Sequence, residues 1–144
     1  MDNIVEWAAP RAAVTATALV GAALGGAALV VMTDAAGRVI LGIAGLGLCC
    51  WALLGGLRRP RLAITPEPRL LVRGLRTTKT YRPADIVRVH LATGRRVGRR
   101  TPMLEIDVTD NGNERLLIFS RWDLGTHPAT VRDALAVHGL APKG

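Results

Sequence analysis

The chain has 144 residues, of which 49% are hydrophobic and 3% aromatic, and 19 Lys and Arg against 11 Asp and Glu give a formal net charge of +8. Up to Leu57 there are two basic and three acidic residues, whereas 17 basic and eight acidic residues follow it. An apolar part beside a strongly basic part indicates membrane or nucleic-acid chemistry and excludes one uniform soluble globule. The basic part can bury only one small core, which argues against a large enzyme.

Two uncharged stretches, residues 12–32 and 39–57, come first. At about 1.5 Å rise per residue, each as a helix matches the roughly 30 Å hydrocarbon core of a bilayer. Since lipid offers no partner to an open backbone amide, they predict two transmembrane helices in an antiparallel hairpin, with residues 1–60 as the anchor domain. A cleaved signal peptide does not fit, because Asp2 and Glu6 precede the first stretch and a second one follows.

The basic residues that flank the two stretches predict their orientation. Arg11, Arg58, Arg59 and Arg61 lie on one side, and Arg38 lies on the other. The positive-inside rule then places both termini in the cytoplasm, as in a multi-pass protein of a bacterial plasma membrane.

Small residues are frequent in the two predicted helices. Gly21 and Gly25 form a GxxxG pair, which lets two helices approach closely. The pair fits packing inside the hairpin, and it also fits a homodimer. Cys49 and Cys50 are adjacent, which is poor geometry for a mutual disulfide, and we interpret them as packing residues.

The basic part, residues 61–144, is predicted to form a second domain of short strands followed by one helix. Alternation in residues 86–93 places Val87, Val89 and Leu91 inward. A helix is expected from Pro128 to a stop at Gly139. Six strands are predicted, over residues 61–65, 69–73, 75–81, 86–93, 103–109 and 114–120.

The chain resembles the small actinobacterial membrane proteins that carry a bacterial pleckstrin-homology-like (PH-like) domain behind a two-helix anchor. The residues that carry the resemblance are 61–65, 81–86, 98–100 with 104–107, and 119–125. It implies an α+β fold, in which a transmembrane helical hairpin precedes a seven-stranded PH-like barrel or sandwich capped by a C-terminal helix. Six strands are found, so we expect the seventh to be short or merged, with residues 69–81 as its place.

Eukaryotic members of this superfamily often bind phosphoinositides through a basic loop between the first two strands. The turn that we place there, Pro66–Pro68, is short and acidic. The resemblance therefore does not extend to headgroup-specific phosphoinositide binding.

No catalytic or metal-binding set stands out in the basic domain. Its histidines, His90, His127 and His138, are dispersed, and Ser120 is its one serine. Glu105 and Asp107 share a strand face, where charged residues are usually solvated. We expect no enzyme, no cofactor and no metal.

The most informative local feature is a basic loop, residues 94–100, that holds four arginines between glycines. Arginine forks bind phosphates and carboxylates, and a basic residue near an anionic leaflet contributes about 1 kcal/mol. The alternative is a solvated loop balanced by Glu105, Asp107 and Asp123. The candidate residues for anionic lipid or partner binding are Arg58, Arg59, Arg61, Arg95, Arg96, Arg99 and Arg100.

Nucleic-acid binding would use the same charge, but few aromatic residues are available for base stacking, so we expect no nucleic-acid partner. Trp122 is either a buried lid of the barrel end or an exposed anchor for a partner.

Two functions fit these features. The first is a non-enzymatic, membrane-anchored adaptor that presents a basic domain to anionic lipid headgroups or to a protein. The second is an accessory subunit of a larger membrane complex, in which the small-residue helices pack against a membrane-protein partner or a second copy.

Overall fold

A computed structural model describes residues 4–31 and 34–142, apart from the side chain of Arg96. The chain divides into two units. One is Ala9–Arg58, and the other combines the residues up to Ala8 with those from Arg59 onward. The expected anchor domain was residues 1–60, whereas this division puts the residues before the helices in the same unit as the C-terminal part.

The first unit is a pair of helices, α1 (Arg11–Val30) and α2 (Ala35–Leu57). Both are long and apolar enough to cross a membrane. Asp34 begins the second helix, because its carboxylate accepts a hydrogen bond from the backbone N–H of Gly37 at 2.6 Å. The expected end of the first stretch, Met32, lies outside the described residues.

Glycines let α1 and α2 pack closely against each other. A Cβ added at Gly21 would lie 2.8 Å from Cys49 Sγ, and one added at Gly45 would lie 2.8 Å from both the carbonyl oxygen of Gly21 and the nitrogen of Gly25. Such distances are shorter than real contacts, so these positions admit no side chain without a shift of the backbone. The GxxxG pair thus contacts the partner helix of the same chain in this structure.

The second unit contains two antiparallel sheets and two helices. The first sheet has the order β1-β2-β3-β4 and the second β5-β6-β7. A short 3₁₀ helix, Pro83–Asp85, leads into the second sheet. The bounds are β1 Val5–Trp7, β2 Leu62–Ile64, β3 Leu70–Arg73, β4 Thr78–Tyr81, β5 Ile86–Arg96, β6 Arg99–Asp110, β7 Asn113–Ser120, α3 Arg121–Leu124 and α4 Pro128–Val137.

The sheets form an open sandwich, and one core fills it. Both sheets contribute buried side chains, and α3, α4 and the residues after α4 complete the core. Its largest fully buried side chains include Phe119, Leu62, Ile64, Leu104 and Leu135. The expected architecture of strands capped by a C-terminal helix is confirmed, as a sandwich of separate sheets rather than a closed barrel.

The seventh strand lies before the helical hairpin, so the expected place for it was wrong. β1 pairs antiparallel with β2, with Val5 opposite Ile64 and Trp7 opposite Leu62. The Trp7 side chain is buried in the common core. Three residues are too few to show an alternating pattern, and the partner of β1 lies a whole helical hairpin away in sequence.

This pairing changes which segment joins the first two strands. The connection from β1 to β2 is the helical hairpin itself, whereas Pro66–Pro68 joins β2 to β3. The assignment of Pro66–Pro68 to the loop between the first two strands was therefore wrong.

The inward face at the start of β5 also differs from the expectation. The register shifts between Ile86 and Arg88, which marks a β-bulge. An extra residue reverses the alternation, so Ile86 is buried and Val87 is 49% exposed. From Val89 onward the expected inward set is correct, since Val89 and Leu91 pack against the core.

Candidate functional site

The β5–β6 hairpin extends beyond the rest of its sheet. β7 pairs with β6 only from Met103 to Asp110, whereas β5 and β6 continue to pair out to Arg96 and Arg99. Within the described part of the chain, residues 93–102 therefore form a ribbon of two strands that no third strand joins, which we call the arginine ribbon. Four residue pairs at about 3.4 Å each give it a length of roughly 13 Å.

The ribbon places its arginines directly opposite one another. Arg95 is paired with Arg100, and Arg96 is paired with Arg99. Directly opposite residues hold their Cβ atoms about 5 Å apart, and like charges in such positions destabilise the pairing. Arg95, Arg99 and Arg100 are exposed. The sequence interval expected as a loop is thus a strand pair with concentrated positive charge.

The carboxylates expected to balance this charge have other partners. Glu105 Oε2 lies 2.8 Å from His90 Nε2, and Asp107 Oδ2 lies 3.8 Å from Arg88 Nε. Asp123 accepts a hydrogen bond from the backbone N–H of Ser120 at 3.0 Å and so caps α3. These contacts lie within the sheet or at the start of α3, outside the arginine ribbon.

Most other carboxylates of the basic part are also paired elsewhere. The pairs are Glu67 with Arg69, Asp85 with Arg82, Asp110 with Lys79 and Arg115, and Asp133 with Arg132. Among the described residues, no carboxylate forms an ion pair with Arg95, Arg99 or Arg100 within 4.0 Å. The ribbon is therefore a site of exposed positive charge that no described ion pair neutralises.

Comparison with known proteins identifies the fold around this ribbon. A model of the bacterial PH domain matches residues 59–141, which span β2 to α4. The chain belongs to the bacterial PH domain family. β1 comes from before the matched residues, so the PH domain of this chain is completed by a strand that precedes its helical hairpin.

Relatives resemble this chain over nearly its whole length. The uncharacterized proteins Rv0010c and MT0013, from two strains of Mycobacterium tuberculosis, are each 40% identical over 138 residues, which cover 96% of this chain and 95% of each relative. No solved structure matches the chain.

Of the three arginines that follow the hairpin, Arg61 has side-chain contacts within the PH domain. The Arg61 guanidinium lies 5.5 Å from the centre of the Phe119 ring, and its Nη1 donates to the carbonyl oxygen of Arg73. The Arg73 guanidinium in turn donates to the carbonyl oxygen of Arg59. Arg61 thus helps to hold β2 beside β3, a role that the sequence did not indicate because it depends on strand pairing. Arg58 belongs to the helical unit.

Trp122 is not the lid of the core. Its side chain is 41% exposed in the first turn of α3, whereas Leu124 of the same short helix is buried. Leu124 packs into the common core together with Val131 and Leu135 of α4. The interpretation of Trp122 as a buried lid was wrong, and its interpretation as an anchor for a partner stays a prediction.

A cleft elsewhere in the PH domain has its charges paired. A cleft of about 610 Å³ lies between β4, the 3₁₀ helix and the β6–β7 turn. Its charged lining residues pair with carboxylates that also line it, Lys79 with Asp110 and Arg82 with Asp85. Within residues 4–31 and 34–142, no group of three or more His, Cys, Asp or Glu is placed to hold a metal ion. The arginine ribbon, by contrast, holds exposed arginines for which no carboxylate partner is described.

Proposed function

We propose that this protein is a non-enzymatic, membrane-anchored adaptor whose PH domain binds anionic lipid at the cytoplasmic face of the bacterial plasma membrane. The observation that carries the proposal is the arginine ribbon, where paired strands hold like charges opposite each other without a described ion pair. Phosphate groups relieve such repulsion, because each guanidinium can donate charge-assisted hydrogen bonds to them. A lipid surface offers many phosphates at once.

The anchor supports this setting. α1 and α2 have the length and composition of membrane spans. Because β1 and β2 pair with each other, a hairpin that spans the membrane must begin and end on the same side. Arg11, Arg58 and Arg59 flank the hairpin on that side, with Arg38 on the other, which favours the cytoplasm for the PH domain and both termini.

A binding role also agrees with the use of the only serine in the basic part of the chain. Ser120 Oγ lies 2.8 Å from a carboxylate oxygen of Asp123, and the two residues form a capping box at the start of α3. This hydroxyl is therefore committed to structure.

The test uses the full chain in lipid nanodiscs, because a fragment that begins at residue 61 lacks β1. A dye is attached at Thr93→Cys, an exposed ribbon position, after Cys49 and Cys50 have been changed to Ala. Energy transfer from this dye to an acceptor on the lipid headgroups reports ribbon docking. Nanodiscs of phosphatidylcholine alone are compared with nanodiscs that also contain phosphatidylglycerol.

Changing Arg95, Arg96, Arg99 and Arg100 to Ser should lower the docking equilibrium by up to about a thousandfold at low salt, since each basic residue near an anionic surface contributes about 1 kcal/mol. The matched control changes Arg69, Arg82, Arg115 and Arg132 to Ser, which removes the same net charge from arginines that have carboxylate partners. The control should keep most of the docking. Equal losses of docking in both variants would contradict the proposal, and so would docking that is the same with and without phosphatidylglycerol.

One observation favours the alternative, an accessory subunit of a membrane complex. β7 is an edge strand, and its Leu116 and Ile118 side chains are each 50% exposed. Purification of the full chain in mild detergent distinguishes the two functions. A stoichiometric protein partner, lost when Leu116 and Ile118 are changed to Ser, supports the subunit; a chain without a partner supports the adaptor.

A further inference from the structure

The second sheet contains two hairpin turns with nearly the same backbone. At the tip of the arginine ribbon, Val97 and Gly98 have φ angles of 51° and 76°. Between β6 and β7, Asn111 and Gly112 have φ angles of 52° and 80°. Two-residue turns with positive φ at both positions prefer Asn-Gly, which the second turn has. The first turn has valine where asparagine is expected.

Valine is poorly suited to that position. In the left-handed conformation its Cβ comes too close to the following carbonyl oxygen, and its branched side chain makes this more severe. Val97 is also 99% exposed, so no packing against the described residues offsets the strain. Asparagine or glycine would give a more stable turn in water, so a valine here fits a contact made outside the folded chain.

We propose that Val97 is a membrane-insertion residue, which enters the interfacial layer of the bilayer while the ribbon arginines bind lipid phosphates. This inference rests on the proposed function and adds how the arginine ribbon is held at the bilayer. A bilayer is anionic at its headgroups and apolar beneath them, and the ribbon has this order, with an apolar tip ahead of charged side chains. Long arginine side chains can keep their charged ends at the phosphate level while the residue between them goes deeper.

A spin label at the tip tests insertion directly. In the background without Cys49 and Cys50, the label is placed at Val97→Cys in one sample and at Asn111→Cys in another. The two positions have nearly the same φ angle and each is the first residue of a two-residue turn, so they form a matched pair. Accessibility to oxygen, which concentrates in the bilayer, is compared with accessibility to a water-soluble nickel chelate, in nanodiscs with and without phosphatidylglycerol.

We expect the label at 97 to gain oxygen contact and lose nickel contact when phosphatidylglycerol is present, and the label at 111 to stay in water. If the label at 97 is as open to the nickel chelate as that at 111 in anionic nanodiscs, insertion is wrong.

A substitution that keeps the turn provides the second test. Val97→Asn reproduces the sequence of the other turn, so it should fold, and it removes the apolar contact. With the dye at Thr93→Cys, the docking equilibrium constant on anionic nanodiscs should fall by about tenfold or more, as expected for loss of one buried valine side chain. Asn111→Val, the reciprocal change, should leave docking unchanged.

The two proposals fail in different ways. If the four-arginine variant loses docking while Val97→Asn docks as before and the label at 97 stays in water, insertion is overturned and lipid binding stands. If the unmodified ribbon does not dock on anionic nanodiscs, both are overturned.

Discussion

The two turns of the β5–β6–β7 sheet have almost the same backbone and very different surroundings. At the β6–β7 turn, Asp110 pairs with Lys79 and Arg115, and Asn111 suits the positive φ. At the tip of the arginine ribbon, no described carboxylate forms an ion pair with the arginines. Val97 is exposed there and is strained by its positive φ. Positions that break local rules in an otherwise consistent fold are the expected places for function. The β6–β7 turn therefore suits the isolated fold, whereas the ribbon turn fits the external contact that we propose.

The largest change in the free energy of unfolding should come from a substitution in β6, the strand that both hairpins share. Leu104 of β6 is fully buried between Leu91 of β5 and Phe119 of β7. Leu104→Ala should lower the free energy of unfolding by about 3 kcal/mol, because it leaves a cavity at the centre of the domain. Denaturant unfolding of the full chain in detergent measures the loss, and hydrogen exchange should show both turns less protected. If only one hairpin loses protection, the two turns do not belong to one cooperative unit and the comparison between them fails.

Exchanging the turn residues should change stability in opposite directions. Val97→Asn should raise the free energy of unfolding by about 1 kcal/mol, and Asn111→Val should lower it by a similar amount, because valine is strained at either position. The same denaturant measurement tests both, with Val137→Asn as a control for loss of an exposed valine without positive φ. Changes of the same sign in the two turns would show that Val97 is not strained.

The smallest change in stability should come from a substitution in the cross-strand arginine pairs. Arg100→Glu converts the Arg95–Arg100 pair from like to opposite charges and should stabilise the ribbon by about 0.5 kcal/mol. Hydrogen exchange of the ribbon amides should slow at low salt, and Arg100→Gln should give an intermediate rate. Faster exchange in Arg100→Glu than in the unchanged chain would mean that the arginine charge is already compensated.

Much of the sheet could be predicted because its strands alternate between core and solvent. The central strand shows this best, since Leu104, Ile106 and Val108 are buried, as the pattern indicates, and Glu105 and Asp107 lie on the other face. The ribbon was expected as a loop because Gly94, two arginines and valine carry no alternation. Arginine pairing across the ribbon depends on register, which the turn residues Val97 and Gly98 do not reveal.

Three other features could not be predicted, because each depends on contacts between residues that are distant in the sequence or on a local irregularity. The bulge near Val87 reverses the face of one residue, and nothing in the local sequence marks it. The role of Arg61 depends on carbonyl groups that β3 brings close. β1 is three residues long, and its partner strand is separated from it by two helices.

The pairing of β1 with β2 also bears on how the protein is made. β1 leaves the ribosome before either helix, and β2 leaves it only after both, so the sheet cannot be completed until the hairpin has been synthesised. If the hairpin spans a membrane, a chain in which only one of the two helices crosses it holds β1 and β2 on opposite sides, so these strands cannot pair. β2 would then keep an open edge, which is a template for aggregation. Completion of the sheet would therefore distinguish a chain with both helices inserted from one with a single crossing, and we expect single-crossing chains to be degraded by proteases that recognise unfolded protein.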